Sequence, residues 1–128
     1  MRIVIDTNRY RDFCAGDQTA LDVVQRAEQV YLPFITVAEL RAGFLAGTRA
    51  RQNERVLDEF LSSPRVEILY PTEFTTRQYA QLFLQLSTQG TPIPTNDLWI
   101  AALTLENNVR LFTRDAHFAR LAQLPRAA

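Results

Sequence analysis

The sequence predicts one α/β domain built on a parallel, doubly wound sheet, and three features lead there. Short, almost wholly apolar segments (Ile3-Val4-Ile5, Val30-Tyr31-Leu32, Val66 to Leu69, Val109 to Thr113) alternate with helical segments. Strands buried on both faces read as apolar runs in this way, and strands alternating with helices imply parallel pairing. The 128 residues suit one core, and scattered Pro and Gly leave no linker, repeat or low-complexity run, so residues 1–128 are expected to form a single domain.

Each element has a local reason. Arg2 to Asp6 is the first strand. Thr7 to Cys14 follows as a short helix with Tyr10, Phe13 and Cys14 on one side, broken at Ala15-Gly16-Asp17. Gln18 to Glu28 is expected to bury Leu21, Val24 and Ala27. The strand 30–33 leads through Phe34-Ile35 into a helix whose Thr36 and Glu39 have capping-box spacing. That helix carries Leu40, Gly43 and Phe44 and breaks at Gly47-Thr48. Arg51 to Leu61 is amphipathic, with Val56, Leu57, Phe60 and Leu61 expected inside. After the strand 66–69, Thr75 to Leu86 presents Tyr79, Leu82, Phe83 and Leu86 on one face. Gly90 to Pro94 is a stiff loop, with Thr95 or Asn96 capping a helix to about Asn107 that is apolar nearly all round. A strand at 109–113, a short helix at 115–121 and a frayed tail around Leu124-Pro125 complete the expectation.

Composition narrows the function. The formal net charge is zero, and all fourteen basic residues are Arg, with no Lys. A Walker P-loop, a Schiff-base mechanism and a phospho-aspartate fold each need a Lys and are excluded. Arg alone still serves phosphate through its planar fork. Cys14 stands alone, so neither a disulfide framework nor a thiolate metal site is expected. A charged residue and a strand follow Met1 directly, and no segment approaches the roughly 20 apolar residues of a membrane span. A cytoplasmic protein is expected.

Four acids carry the functional signal: Asp6 after Ile3-Val4-Ile5, Glu39 in Thr36-Val37-Ala38-Glu39-Leu40, Asp97 in Asn96-Asp97-Leu98-Trp99, and Asp115 after Leu111-Phe112-Thr113-Arg114. All occupy strand exits or helix starts, and a parallel sheet gathers its strand C-termini along the edge where such folds bind ligands. Each acid alone is explained by helix capping or by the helix macrodipole. Four together, beside Thr7, Asn8, Asn96 and Thr113, are better explained by a shared cation. A pair of carboxylates about 4 Å apart costs roughly 4 kcal/mol at an effective dielectric near 20. Hard oxygen ligands select Mg²⁺ or Mn²⁺, which points to a metal-dependent phosphodiesterase.

These residues resemble the PIN-domain family of ribonucleases, and most closely the VapC-type toxins of bacterial toxin–antitoxin pairs. The matching segments are Ile5-Asp6-Thr7-Asn8, Thr36 to Gly43, Asn96 to Ala102 and Leu111 to Phe118, in the family's order and across essentially the whole chain. The resemblance implies a three-layer α/β/α fold with a central parallel sheet of four to five strands. It implies that Asp6, Glu39 and Asp97 are the dependable metal-site and catalytic acids, with Asp115 as the more variable fourth. Thr113 would support the metal or its water, and Asn8, with Asn96, would hold the site's geometry. Arg9-Tyr10-Arg11 departs from the pattern, placing two cations where relatives often carry apolar residues.

The implied reaction is Mg²⁺-dependent hydrolysis of an RNA phosphodiester, leaving a 3′-hydroxyl and a 5′-phosphate, with Mn²⁺ as a possible substitute. Arg9, Arg11, Arg41 and Arg114 lie close to the acids in sequence and are candidate RNA contacts. The implied partners are an RNA substrate, a cognate VapB-like antitoxin and a second copy of the chain. The antitoxin would set a cation against the acids and apolar residues along a groove near the Leu40 to Leu61 helices. His117, the only histidine, reads as a surface residue, and Trp99 as buried or at a homodimer contact rather than stacked on a base. Two alternatives share the fold: a PIN nuclease of RNA maturation or decay without an antitoxin, and a catalytically silent binding module, which would ordinarily lack some of the acids. A haloacid-dehalogenase phosphatase needs a second Asp where Asn8 stands, and a Lys.

Overall fold

The structure is a computed structural model that describes residues 1–127. Its elements run β1 (Arg2–Ile5), α1 (Thr7–Cys14), α2 (Gln18–Arg26), β2 (Gln29–Pro33), α3 (Phe34–Ala46), α4 (Ala50–Leu61), β3 (Val66–Leu69), α5 (Glu73–Gln89), α6 (Thr95–Glu106) and β4 (Arg110–Phe112), then a short 3₁₀ helix (Ala116–Arg120). The four strands are all parallel, in the order β3-β2-β1-β4. The first strand is therefore central. Ile3 pairs with Val30 on one side, and Ile5 with Phe112 on the other.

Alternation along β1 divides the core. Ile3 and Ile5 face a cluster with Tyr10, Val24, Leu32, Leu40, Leu57 and Phe112, formed under α1 to α4. Val4 faces the opposite cluster of Leu82, Leu86, Ile100, Leu103, Leu111 and Phe118, formed under α5 and α6. The result is the expected α/β/α sandwich. Each fully buried Ile, Leu or Phe contributes about 1.5–3 kcal/mol of transfer free energy. No helix is long and apolar enough to cross a membrane.

Several local expectations fail for identifiable reasons. In α2 the buried residues are Ala20, Val23 and Val24, with Ala27 just beyond the helix, whereas Leu21 is only half-buried. Val56 is 41 % and Phe83 55 % exposed, since α4 inserts only Leu57 fully and α5 packs through Thr75, Leu82 and Leu86. The helix α5 begins at Glu73 because Thr72 and Thr75 form a reciprocal capping box, and both hydroxyls also donate to Glu106. Neither Thr95 nor Asn96 caps α6, whose N-cap is Pro94.

The tail is stitched down rather than frayed. Leu111 donates its amide to the Pro125 carbonyl (2.9 Å), Ala127 donates to the Leu111 carbonyl (2.9 Å), and Leu124 is buried. A parallel bridge between Leu111 and Arg126 thus extends the sheet beyond β4. Replacing Leu124→Ala should destabilise the domain by about 2–3 kcal/mol in a denaturant titration. An unchanged midpoint would mean that the tail is not part of the core.

Candidate active site

Asp6 is held at the exit of the central strand. Its amide continues the β1–β4 ladder to the Phe112 carbonyl (3.0 Å), so Asp6 lies beside Thr113. The side chain caps α1 by accepting from the Thr7 amide through Oδ1 (2.8 Å). Its Oδ2 accepts from the Thr113 hydroxyl (2.7 Å) and from the Asn8 amide (3.4 Å). Asn8 in turn accepts the Arg114 backbone N–H (3.1 Å), which ties the loop after β1 to the loop after β4. Capping and site geometry are thus not alternatives for Asp6; one carboxylate does both.

For Glu39 the capping box is overturned. The helix α3 starts at Phe34, after Pro33, which puts Thr36 inside the first turn, fully buried and with its hydroxyl unpartnered. Helical side chains tilt toward the N-terminus, so Glu39 reaches back toward the sheet edge. Its Oε1 accepts from the Thr7 hydroxyl (3.0 Å) and its Oε2 from the Asn96 amide (3.4 Å). Asn96 therefore links α6 to α3.

Asp97 lies in the first turn of α6 and Asp115 caps the 3₁₀ helix, accepting the His117 amide (2.9 Å). Between them stands the residue sequence reasoning missed. His117 is not a free surface residue, because its Nδ1 lies 3.0 Å from both Asp97 Oδ2 and Asp115 Oδ1. Only its position two residues after Asp115 hinted at this. Thr113 closes the ring by donating to Asp6 and accepting the Asp115 amide (3.0 Å).

Electrostatics mark the cluster as strained. Burial raises the Asp6 carboxyl above its ordinary 3.8, against the lowering effect of the Thr113 and Thr7 hydrogen bonds, and the Glu39 and Asp115 charges add to the rise. Burial also raises Asp97, opposed by the His117 contact and reinforced by Asp115 and Asp6. Ligand atoms of Asp97, Asp115 and His117 lie within 4.8 Å of one another, and Asp6 and Glu39 flank that set through the hydrogen bonds to Thr113, Thr7 and Asn96. No arginine pairs with any of them among the described residues. Neutral hydroxyl and amide donors fix Asp6 and Glu39 without compensating their charge, and the His117 imidazole is the side-chain partner of Asp97 and Asp115. Such an oxygen-rich donor set fits a hard divalent cation, with Asp6, Asp97, Asp115 and Glu39 as the groups able to hold it.

The arginines are committed elsewhere. Arg9 is largely withdrawn from solvent, its guanidinium 4.6 Å over the Phe112 ring and bonded to Asp12. Burial of that side chain takes it out of the expected RNA-contact set. Arg114 forks onto the same Asp12 (2.7 and 3.1 Å), and this pairing holds the Asp12 carboxyl below its ordinary range. Arg41 forks onto Glu54 (3.0 and 3.1 Å), with Asp58 at 3.9 Å. Arg11 alone of the four has no carboxylate partner among the described residues. Its guanidinium lies 2.9 Å from where a Cβ on Gly43 would sit. There it borders a groove of about 580 Å³ between α1, α3 and α4, lined by Tyr10, Leu40, Phe44 and the exposed Val56.

Comparison with known proteins places this geometry among relatives. Residues 3–124 match the PIN domain family. Ribonuclease VapC1 from Haemophilus influenzae is 36 % identical over 98 residues, covering 76 % of this chain and 72 % of that protein. Ribonuclease VapC5 from Mycobacterium tuberculosis is 31 % identical over 118 residues, covering 92 % and 86 %. Among solved structures, VapBC-1 from nontypeable Haemophilus influenzae superposes with a TM-score of 0.84 at 31 % identity, covering 99 % of this chain and 97 % of that one. VapBC2 from Rickettsia felis, bound to a DNA fragment from its promoter, superposes at 0.86 with 26 % identity, covering 99 % and 98 %.

The raised carboxyls fix the sign of a pH effect. A folded-state value above the unfolded one means that the folded chain holds protons more tightly, so stability is full below 3.8 and is lost as pH rises through the raised values of Asp6 and Asp97. The lowered Asp12 acts oppositely, and only as pH falls below that window. Metal-free protein should therefore melt at a lower temperature at pH 7 than near pH 4. The substitution Asp6→Asn should raise the metal-free stability at pH 7, because it removes a buried charge that Glu39 and Asp115 repel. A melting temperature flat across that range would contradict the electrostatic account.

Proposed function

This chain belongs to the PIN domain family, and from that premise we propose that it is a metal-dependent endoribonuclease, the toxin of a type II toxin–antitoxin pair neutralised by a cognate VapB-like antitoxin. The observation that supports this best is the convergence of Asp6, Glu39, Asp97 and Asp115 at one sheet edge with no paired arginine. The relatives are ribonucleases by name, and the similar structures are VapBC assemblies. No specific observation favours a nuclease without an antitoxin, and a silent binding module is disfavoured because all four acids are in place. We assign residues 1–128 to one domain acting in the cytoplasm.

In this proposal Asp6, Asp97 and Asp115, with Glu39, are the catalytic and metal-holding residues, and Mg²⁺ is the ion, with Mn²⁺ able to replace it. When bound, such an ion would supply Lewis-acid chemistry, making a water more acidic and neutralising charge on the phosphate. Thr113 and Thr7 orient the Asp6 carboxylate, so that one oxygen is committed to the α1 amide and the other is aimed between the two loops. Asn8 and Asn96 hold the strand loops and helix starts at fixed separation. Arg11, Arg114 and the half-exposed Arg41 are left to meet the RNA backbone; Arg114 and Arg41 are positioned by Asp12 and Glu54.

The antitoxin is proposed to place a cation against the acids and apolar side chains in the groove beside Leu40, Phe44 and Val56. Self-association is proposed as well, through apolar residues left exposed on α5, among them Phe74, Phe83 and Leu84. Trp99 is packed against Tyr79 and Phe34 within the chain rather than presented on a bare α6 face.

Substituting Asp6→Asn or Asp97→Asn should lower RNA cleavage by about 100-fold or more and relieve growth arrest on expression, with the fold kept by circular dichroism. Wild-type cleavage in either variant would mean that the site is misassigned. Chelation with EDTA should stop cleavage, and Mg²⁺ or Mn²⁺ should restore it. Placing a charge in the groove with Val56→Asp should weaken the complex with the co-expressed antitoxin about tenfold or more and leave RNA cleavage intact. An unchanged affinity would move the antitoxin elsewhere.

A further inference from the structure

We propose that His117 is itself a ligand of the divalent ion, its Nδ1 joining Asp97 and Asp115 in a mixed nitrogen–oxygen set that favours transition ions such as Mn²⁺ over Mg²⁺. This rests on the acid pocket being the metal site and adds to it a nitrogen donor that the sequence did not suggest.

The spacing is that of a coordination shell. An octahedral ion bonded at about 2.1 Å sets neighbouring ligand atoms about 3.0 Å apart. His117 Nδ1 lies 3.0 Å from Asp97 Oδ2 and 3.0 Å from Asp115 Oδ1, and one ligand atom from each of these residues lies within 4.8 Å of the others. A proton on Nδ1 serves one of the two carboxylate oxygens, and Asp115 Oδ1 also accepts the His117 backbone N–H. Without that proton the same three atoms present one nitrogen and two oxygens to a common point, and no arginine occupies it among the described residues.

The imidazole is also placed by structure rather than by chance rotation. The His117 backbone N–H is bonded to Asp115 Oδ1 (2.9 Å), and the next residue, Phe118, is fully buried under α6 and β4. These two anchors hold the ring over the gap between the Asp97 and Asp115 carboxylates. The ring is 40 % exposed, so water and an entering ion can reach it. Carboxylate oxygens suit Mg²⁺ and Mn²⁺ alike, whereas an imidazole nitrogen raises affinity for transition ions selectively. His117 is thus a determinant of metal preference.

The opposing possibility is that His117 is a built-in countercharge occupying the ion's place. The two make opposite forecasts. Pulsed electron paramagnetic resonance on the full chain loaded with Mn²⁺ should show nitrogen hyperfine coupling from an imidazole, and His117→Ala should remove that coupling. In thermal-shift and calorimetric titrations, His117→Ala should weaken Mn²⁺ binding about tenfold or more and leave Mg²⁺ binding nearly unchanged. His117→Gln, which keeps a polar side chain of similar length, should behave like His117→Ala. Bound Mn²⁺ without nitrogen coupling, or tighter metal binding in either variant, would overturn the proposal. The parent site is judged separately: Mn²⁺ binding that survives Asp6→Asn and Asp97→Asn unchanged would remove the site and this proposal with it.

Discussion

Like-charge crowding at the C-terminal edge of the sheet is the constraint around which the molecule is arranged. Central placement of β1 brings Asp6 beside Thr113, and the two helices that start at that edge bring Glu39 and Asp97 to the same volume. Apart from the His117 imidazole beside Asp97 and Asp115, the fold meets their repulsion with neutral donors: two hydroxyls, two side-chain amides and backbone N–H groups. Hydrogen bonds of that kind fix where a carboxylate points without removing its charge. Positional order and electrostatic need are thus separated, and the need is left for a cation to meet.

The zero net charge conceals this separation. Arg9 and Arg114 are drawn to Asp12, and Arg41 to Glu54 and Asp58. These pairs surround the pocket but do not enter it. Asp12 and Glu54 thus hold cations that would otherwise be unpaired. Neither is visible as a site residue in the sequence. Their importance lies in what they restrain.

The fold class, the strand order of motifs and the four acids were legible because they rest on local chemistry: apolar runs, helix periodicity, and acids at strand exits. What escaped depends on tertiary placement. Periodicity marks Val56 and Phe83 as core because it cannot tell a helix covered on one side from one left bare. The Thr36–Glu39 spacing imitates a capping box, yet Pro33 starts α3 early and frees Glu39 to span to Thr7. The tail carries Pro125 and small residues, which suggest disorder, but its backbone carbonyls and amides complete the exposed edge of β4. The His117 contact with Asp97 and the pairings of Arg114 with Asp12 and Arg41 with Glu54 were not legible, since they join residues distant in sequence.

The lone tryptophan is well placed to observe the pocket. Trp99 follows Asp97 by two residues on α6, lies 4.5 Å from the Tyr79 ring and 6.3 Å from that of Phe34, and so bridges the starts of α3 and α6. Drawing Glu39 and Asp97 inward would alter the packing of that aromatic trio. The chain therefore carries an intrinsic fluorophore where these two helices start, two residues from Asp97, so that its emission can serve as a probe of the pocket without any attached dye.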